Sequence, residues 1–236
     1  MLLVSNLLLS EKVASMPMNV SEAGRSEVSL KDLFDNATIL SENITKLSTD
    51  MRMEFVIPGF SLKGTSQMMS LSSLHKKMRL NDVFDKCHTL PIKTPETKAE
   101  IRETSFEDFL NMTFRTLRAW EDPLKHLVTE LSAMPGVPDV ILSQAKAIEA
   151  QHKILLEYIM KIVSKVNPAL QEKEDSLVWS DLDLLQAADE ESRLFALYVF
   201  SYCLRVDLQI VEFCIYMLRC LHMHGKICYI ESAPSF

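Results

Sequence analysis

The chain has 236 residues, 25 basic against 32 acidic side chains for a net charge of -7, 47% apolar content and only 5 glycines. So large an apolar share excludes a disordered chain, and plentiful Leu and Met with scarce Gly point to helices. The acidic balance argues against bulk attraction to nucleic acid or to an anionic membrane, leaving local basic clusters as a separate matter.

Leu2, Leu3, Val4 and Leu7 to Leu9 form a short apolar stretch, and Val13-Ala14-Ser15 supplies the small or apolar residues that signal cleavage requires. The pattern predicts a signal peptide over residues 1–15, with residues 16–236 as a single domain able to bury a sizeable core. The stretch lacks a basic leader, so a longer precursor is expected to begin upstream. Four N-x-S/T sequons, at Asn19, Asn36, Asn43 and Asn111, agree with passage through a secretory pathway.

Apolar residues recur at three-and-four spacing in four segments. The first runs from about Ser29 to Phe55. The second, from about Thr104 to Met134, opens on the capping pair Ser105 and Asp108, and Pro123 is expected to kink it without ending it. The third begins at Pro138 and stops before Pro168. The fourth starts near Asp189 and spaces Leu194, Leu197, Ser201, Leu204, Leu208, Val211, Ile215 and Leu218; Arg205, Asp207 and Glu212 argue against a membrane span.

A helix of about 27 residues is roughly 40 Å long, so returning along it takes at least ~12 extended residues. The first and third connections exceed that length and the second, Ser132 to Val137, does not. This long, short, long order predicts an all-α, up-up-down-down four-helix bundle with two long crossovers.

Of the five cysteines, Cys87, Cys203, Cys220 and Cys228 can supply one bridge clamping distant segments and one clipping the chain end, a framework expected where thiols are oxidised. No C-x-x-C pair, glycine-rich phosphate loop, nucleophile elbow or H-E-x-x-H is present, so neither an enzyme nor a cofactor is expected. His222 and His224 lack carboxylate neighbours in sequence, and no metal site is expected from them. His152, between Ile148 and Leu155, reads as a packed histidine, and Trp120 and Trp179 as core anchors.

Five segments carry a family resemblance: S-L-K-D-L-F-D at Ser29 to Asp35, C-H-T-L-P-I-K-T-P-E at Cys87 to Glu96, E-D-P-L-K-H-L-V-T-E at Glu121 to Glu130, V-W-S-D-L at Val178 to Leu182, and A-D-E-E-S-R-L at Ala188 to Leu194. Over nearly the whole of residues 16–236 the chain resembles the prolactin and growth hormone (somatotropin) family, and prolactin in particular. The resemblance implies a secreted, extracellular hormone or cytokine, monomeric, whose partner is a cell-surface receptor. It also implies the pairs Cys87 with Cys203 and Cys220 with Cys228, without the amino-terminal bridge of prolactins. Cys214 is then left over, and its place between two apolar stripes predicts a buried free thiol.

Several positions depart from the prolactin pattern. Where the resemblance places first-helix receptor-binding histidines, this chain has Glu42 and Thr45, with the Asn43 sequon between them and Asn36 on the same helix face. On the fourth helix the matching positions are Val206, Leu208, Gln209, Ile210, Phe213 and Cys214. Val206, Ile210, Phe213 and Met217 make a second apolar stripe, which is either a partner face or is covered by the first crossover; covering is preferred, because exposed patches of that size are uncommon. Tyr158 stands where prolactins keep a glycine against a second receptor. Together these changes imply that the chain does not activate the prolactin receptor as prolactin does.

An insertion of about 14 residues, around residues 58–80, resembles that of the placental and decidual branch of prolactin-related proteins. Its run His75, Lys76, Lys77, Met78, Arg79 fits a heparin-binding pattern, giving the alternative of a protein retained on heparan sulfate in decidual or placental matrix.

Overall fold

A computed structural model describes residues 28–56, 86–171, 177, 179 and 182–231. The signal peptide expected over 1–15, Asn19, and the insertion with His75, Lys76, Lys77 and Arg79 lie outside these residues.

In chain order the helices are α1 (Leu30–Val56), α2 (Lys98–Glu103), α3 (Phe106–Ala119), α4 (Glu121–Ala133), α5 (Asp139–Val166), α6 (Leu182–Leu185), α7 (Glu190–His224) and α8 (Cys228–Glu231). Three of the long helices, α1, α3 and α7, begin where a side chain can satisfy their first N–H groups, whereas α5 starts after Pro138 without a side-chain cap. The Ser29 hydroxyl accepts from the Asp32 N–H at 3.1 Å, Ser105 and Asp108 form a reciprocal capping box on α3, and Asp189 accepts from the Ser192 N–H at 2.8 Å. Gly225, at φ 62, ends α7 in a conformation that favours glycine.

Contacts far apart in sequence fix the direction of each helix. Asp35 meets Arg219, Thr45 meets Leu208, and Arg52 meets Tyr198, so α1 and α7 run antiparallel. Phe109 meets Phe213 and Trp120 meets Phe200, so α3 also opposes α7; Phe34 meets Phe106 edge to face, placing the starts of α1 and α3 together. The five-residue connection from α4 to α5, residues 134–138, turns the chain back. The described helices therefore form the up-up-down-down bundle, with α1, α3–α4, α5 and α7 as its members.

The second bundle helix bends near Pro123 without ending, as expected. α3 passes into α4 through Trp120, three residues before the proline, and the Trp120 N–H still bonds the Thr116 carbonyl at 3.3 Å while the Leu124 N–H bonds the Trp120 carbonyl at 3.2 Å. Pro123 has no N–H to offer the Ala119 carbonyl, and that carbonyl instead accepts from His88 Nε2 at 3.1 Å. Trp120 is 1% exposed, so the bend sits in the core.

One core joins Leu33, Phe34, Ile44, Met51 and Phe55 of α1 to Phe109, Leu117, Leu124 and Leu127 of the second member, to Ile148, Leu155 and Ile159 of α5, and to Leu197, Leu204, Val211 and Ile215 of α7. α7 is long and apolar enough to cross a membrane by length and composition, but 67% of that stretch is buried within the protein. Its apolar length is explained by packing against both α1 and α3.

Candidate receptor-facing surface

The end of the first crossover is fastened to the bundle at three adjacent residues. Cys87 is bonded to Cys203 of α7, with Cα atoms 5.4 Å apart. His88 caps Ala119 and sets its ring edge-on to Trp120, centroids 4.7 Å apart. Thr89 donates to Asp207 Oδ2 at 2.6 Å, and the same oxygen accepts from Trp120 Nε1 at 2.6 Å. Burial pushes the Asp207 carboxyl up to about 6, the two hydrogen bonds pulling the other way. Sequence reasoning used Asp207 only as an argument against a membrane span; its one signal was an acidic side chain alone among apolar neighbours.

The same crossover, with α3 and α7, bounds a groove of about 930 Å³. Val206 and Ile210 lie in its wall, half-buried, and Phe213 packs edge-on against Phe109 at 6.2 Å. Met217, in the second stripe read as either a partner face or covered, is 0% exposed and so belongs to no exposed partner face. The physical reason is that α7 has neighbours on two sides, so apolar residues outside its main stripe still point inward. Leu208 and Cys214, which the resemblance matched to receptor-facing positions, are likewise buried at 2% and 1% exposure.

At the α1–α7 face, Asn36, Glu42 and Asn43 are exposed. Thr45 turns inward, its hydroxyl donating to the Leu208 carbonyl at 3.2 Å. Lys31 and Arg219 both reach Asp35, at 2.7 and 2.5 Å, and hold its carboxyl below the usual range, Lys31 foremost. Arg52 lies 5.0 Å from the ring centres of both Tyr198 and Tyr202. On α5, Tyr158 is half-buried under Lys161, whose Nζ is 5.6 Å from the ring centre.

At the chain end Cys220 is bonded to Cys228, and the Tyr229 hydroxyl donates to the Thr104 carbonyl at 2.8 Å, tying this loop to the start of α3. Within it, His222 and His224 are exposed and the His222 ring packs on Phe34 at 5.4 Å. No group of three metal-ligating side chains occurs among the described residues.

Cys214 is a free, buried thiol that burial pushes up to about 12, a hydrogen bond with Thr113 acting the other way. A thiol so placed is neither ionised nor accessible. Native protein at pH 8 should therefore take up no iodoacetamide at Cys214, and denatured but unreduced protein one equivalent there; mass spectrometry of the alkylated peptides checks this.

The model of the somatotropin hormone family matches residues 2–228. The chain belongs to that family. Mouse Prolactin-7D1 is 53% identical over 232 residues, covering 98% of this chain and 93% of the relative. Mouse Prolactin-7B1 is 45% identical over 227 residues, covering 96% and 90%, and mouse Prolactin-7C1 is 41% identical over 228 residues, covering 97% and 90%. Somatotropin-family proteins are hormones rather than enzymes, and the helical bundle with its two disulfides is consistent with that family. Its hormones are secreted and act on cell-surface receptors, a setting in which disulfides persist.

Proposed function

We propose that this protein is a secreted prolactin-family ligand that does not engage the prolactin receptor as prolactin does. The observation that carries the reading is the α1 face beside α7, where Asn43 is exposed within a sequon and Thr45 is turned inward to Leu208. A glycan on Asn43 would stand where a receptor has to close, and Thr45 has its hydroxyl engaged within the bundle. Tyr158 adds bulk on α5. Burying a glycan or leaving receptor polar groups unmatched removes several kcal/mol, and each ~1.4 kcal/mol is a tenfold loss of affinity. Protein secreted from mammalian cells should bind the immobilised prolactin receptor more weakly than ~1 µM and drive no receptor-dependent proliferation. Nanomolar binding together with proliferation would overturn the reading.

A second reading, retention on heparan sulfate, is favoured by the run at His75, Lys76, Lys77 and Arg79, three fixed positive charges within four positions of a chain whose net charge is -7. Such binding is electrostatic and weakens steeply with salt. Replacing Lys76, Lys77 and Arg79 by alanine should lower the sodium chloride needed for elution from a heparin column while leaving helical circular dichroism unchanged. Flow-through of the unaltered protein at physiological salt, or coelution of the variant with it, removes this reading.

A further inference from the structure

Asn111 lies on α3, half-buried, and its side chain lines the groove between that helix, the first crossover and α7. Thr113, the third residue of its sequon, is 0% exposed and donates its hydroxyl to the Phe109 carbonyl at 2.8 Å. Oligosaccharide transfer to such a sequon has to precede folding, since afterwards the threonine is out of reach. The folded chain then has to find room for whatever was attached, and the space in front of Asn111 is the groove itself.

The groove suits a neutral sugar. At about 930 Å³ it falls within the ~300–1,000 Å³ typical of small-ligand sites. Its lining includes Met112, Val206 and Ile210, apolar surface suited to the C–H face of a pyranose. Around this are polar groups for its edge, with Glu96, Glu100, Glu103 and Asp108 outnumbering Lys93 and Arg115. That balance disfavours an anionic occupant. Arg115, one helical turn beyond Asn111 on the same face of α3, makes no ion pair among the described residues and can donate to a sugar hydroxyl or acetamide oxygen.

We propose that this groove seats the innermost N-acetylglucosamine units of a glycan on Asn111, so that the sugar, rather than a protein partner, completes the cover over Val206 and Ile210. Asn36 and Asn43 provide internal controls, since both lie on a helix and both are exposed.

The test uses protein secreted from mammalian cells and treated with peptide N-glycosidase under native and denaturing conditions, with site-by-site glycopeptide mass spectrometry. In the native protein, release at Asn111 should be at least about tenfold slower than at Asn43. The two rates should converge after denaturation, and Arg115→Ala should move the native Asn111 rate toward that of Asn43. An unoccupied Asn111 overturns the proposal, as do equal native rates at the two sites. A native Asn111 rate unchanged by Arg115→Ala also overturns it, because the protection would not then come from seating in the groove.

Discussion

Replacing Cys87 and Cys203 together by alanine should lower the free energy of unfolding by about 4 to 5 kcal/mol, whereas the same change at Cys220 and Cys228 should lower it by about 2.5 kcal/mol. The difference follows from loop length: the first bridge closes a separation of 116 residues and the second one of 8. Cys87 and Cys203 are 6% and 2% exposed, so alanine avoids adding buried hydroxyls that serine would leave without partners. The first loss should also spread locally, because Cys87 precedes the two residues that cap Ala119 and bond Asp207. Urea unfolding followed by circular dichroism gives the free energies, and hydrogen exchange at residues 88–92 gives the local effect. A reversed order of the two pairs, or unchanged exchange at 88–92, would show that the crossover is held by something other than this bridge.

The second large effect is hidden in the unaltered protein. His152 is 2% exposed, and burial pushes its imidazole down to about 4 from the ordinary 6.5, with a hydrogen bond to the Leu117 backbone acting the other way. Its depressed folded value contributes stability that is present above pH 6.5 and lost as pH falls toward 4. Asp207 is raised from 3.8 to about 6, so its contribution is present below pH 3.8 and lost as pH rises through 6. Each is on the order of 3 kcal/mol, in the same window and of opposite sign, so the pair nearly cancels.

Single substitutions should separate them. Asp207→Asn, whose amide oxygen can still accept from both Thr89 and Trp120, should gain roughly 3 kcal/mol of stability relative to the unaltered protein's profile between pH 4 and 6.5. His152→Gln should lose a similar amount over the same range. Urea midpoints at half-unit pH steps check this. Slopes of the same sign in the two variants would sink the argument.

The bundle was legible because its helices are amphipathic over many turns and because two connections are long and one is short. Ser105 with Asp108 was legible as a cap because all the atoms involved lie within four positions. What escaped depends on partners far away in the chain. Asp207 is held by Thr89 and Trp120, 118 and 87 residues distant. The bend near Trp120 was legible in Pro123, but the donor that satisfies the freed Ala119 carbonyl, His88, lies 31 residues before it. Period counting found both apolar stripes of α7 but could not say what covers the second, in which Met217 is 0% exposed. The groove at Asn111 could not be read at all, since three separate segments enclose it.

The antiparallel pairing of the first and last long helices also bears on how fast the chain folds. Thr45 and Leu208 are 163 residues apart, and Asp35 and Arg219 are 184 apart. Helical proteins fold quickly when their contacts are local, as in bundles whose successive helices are neighbours. Here the first helix cannot reach its main partner until nearly the whole chain has been synthesised. Until then its apolar stripe waits without that partner, so folding is slower and more exposed to aggregation than the helices among the described residues would suggest.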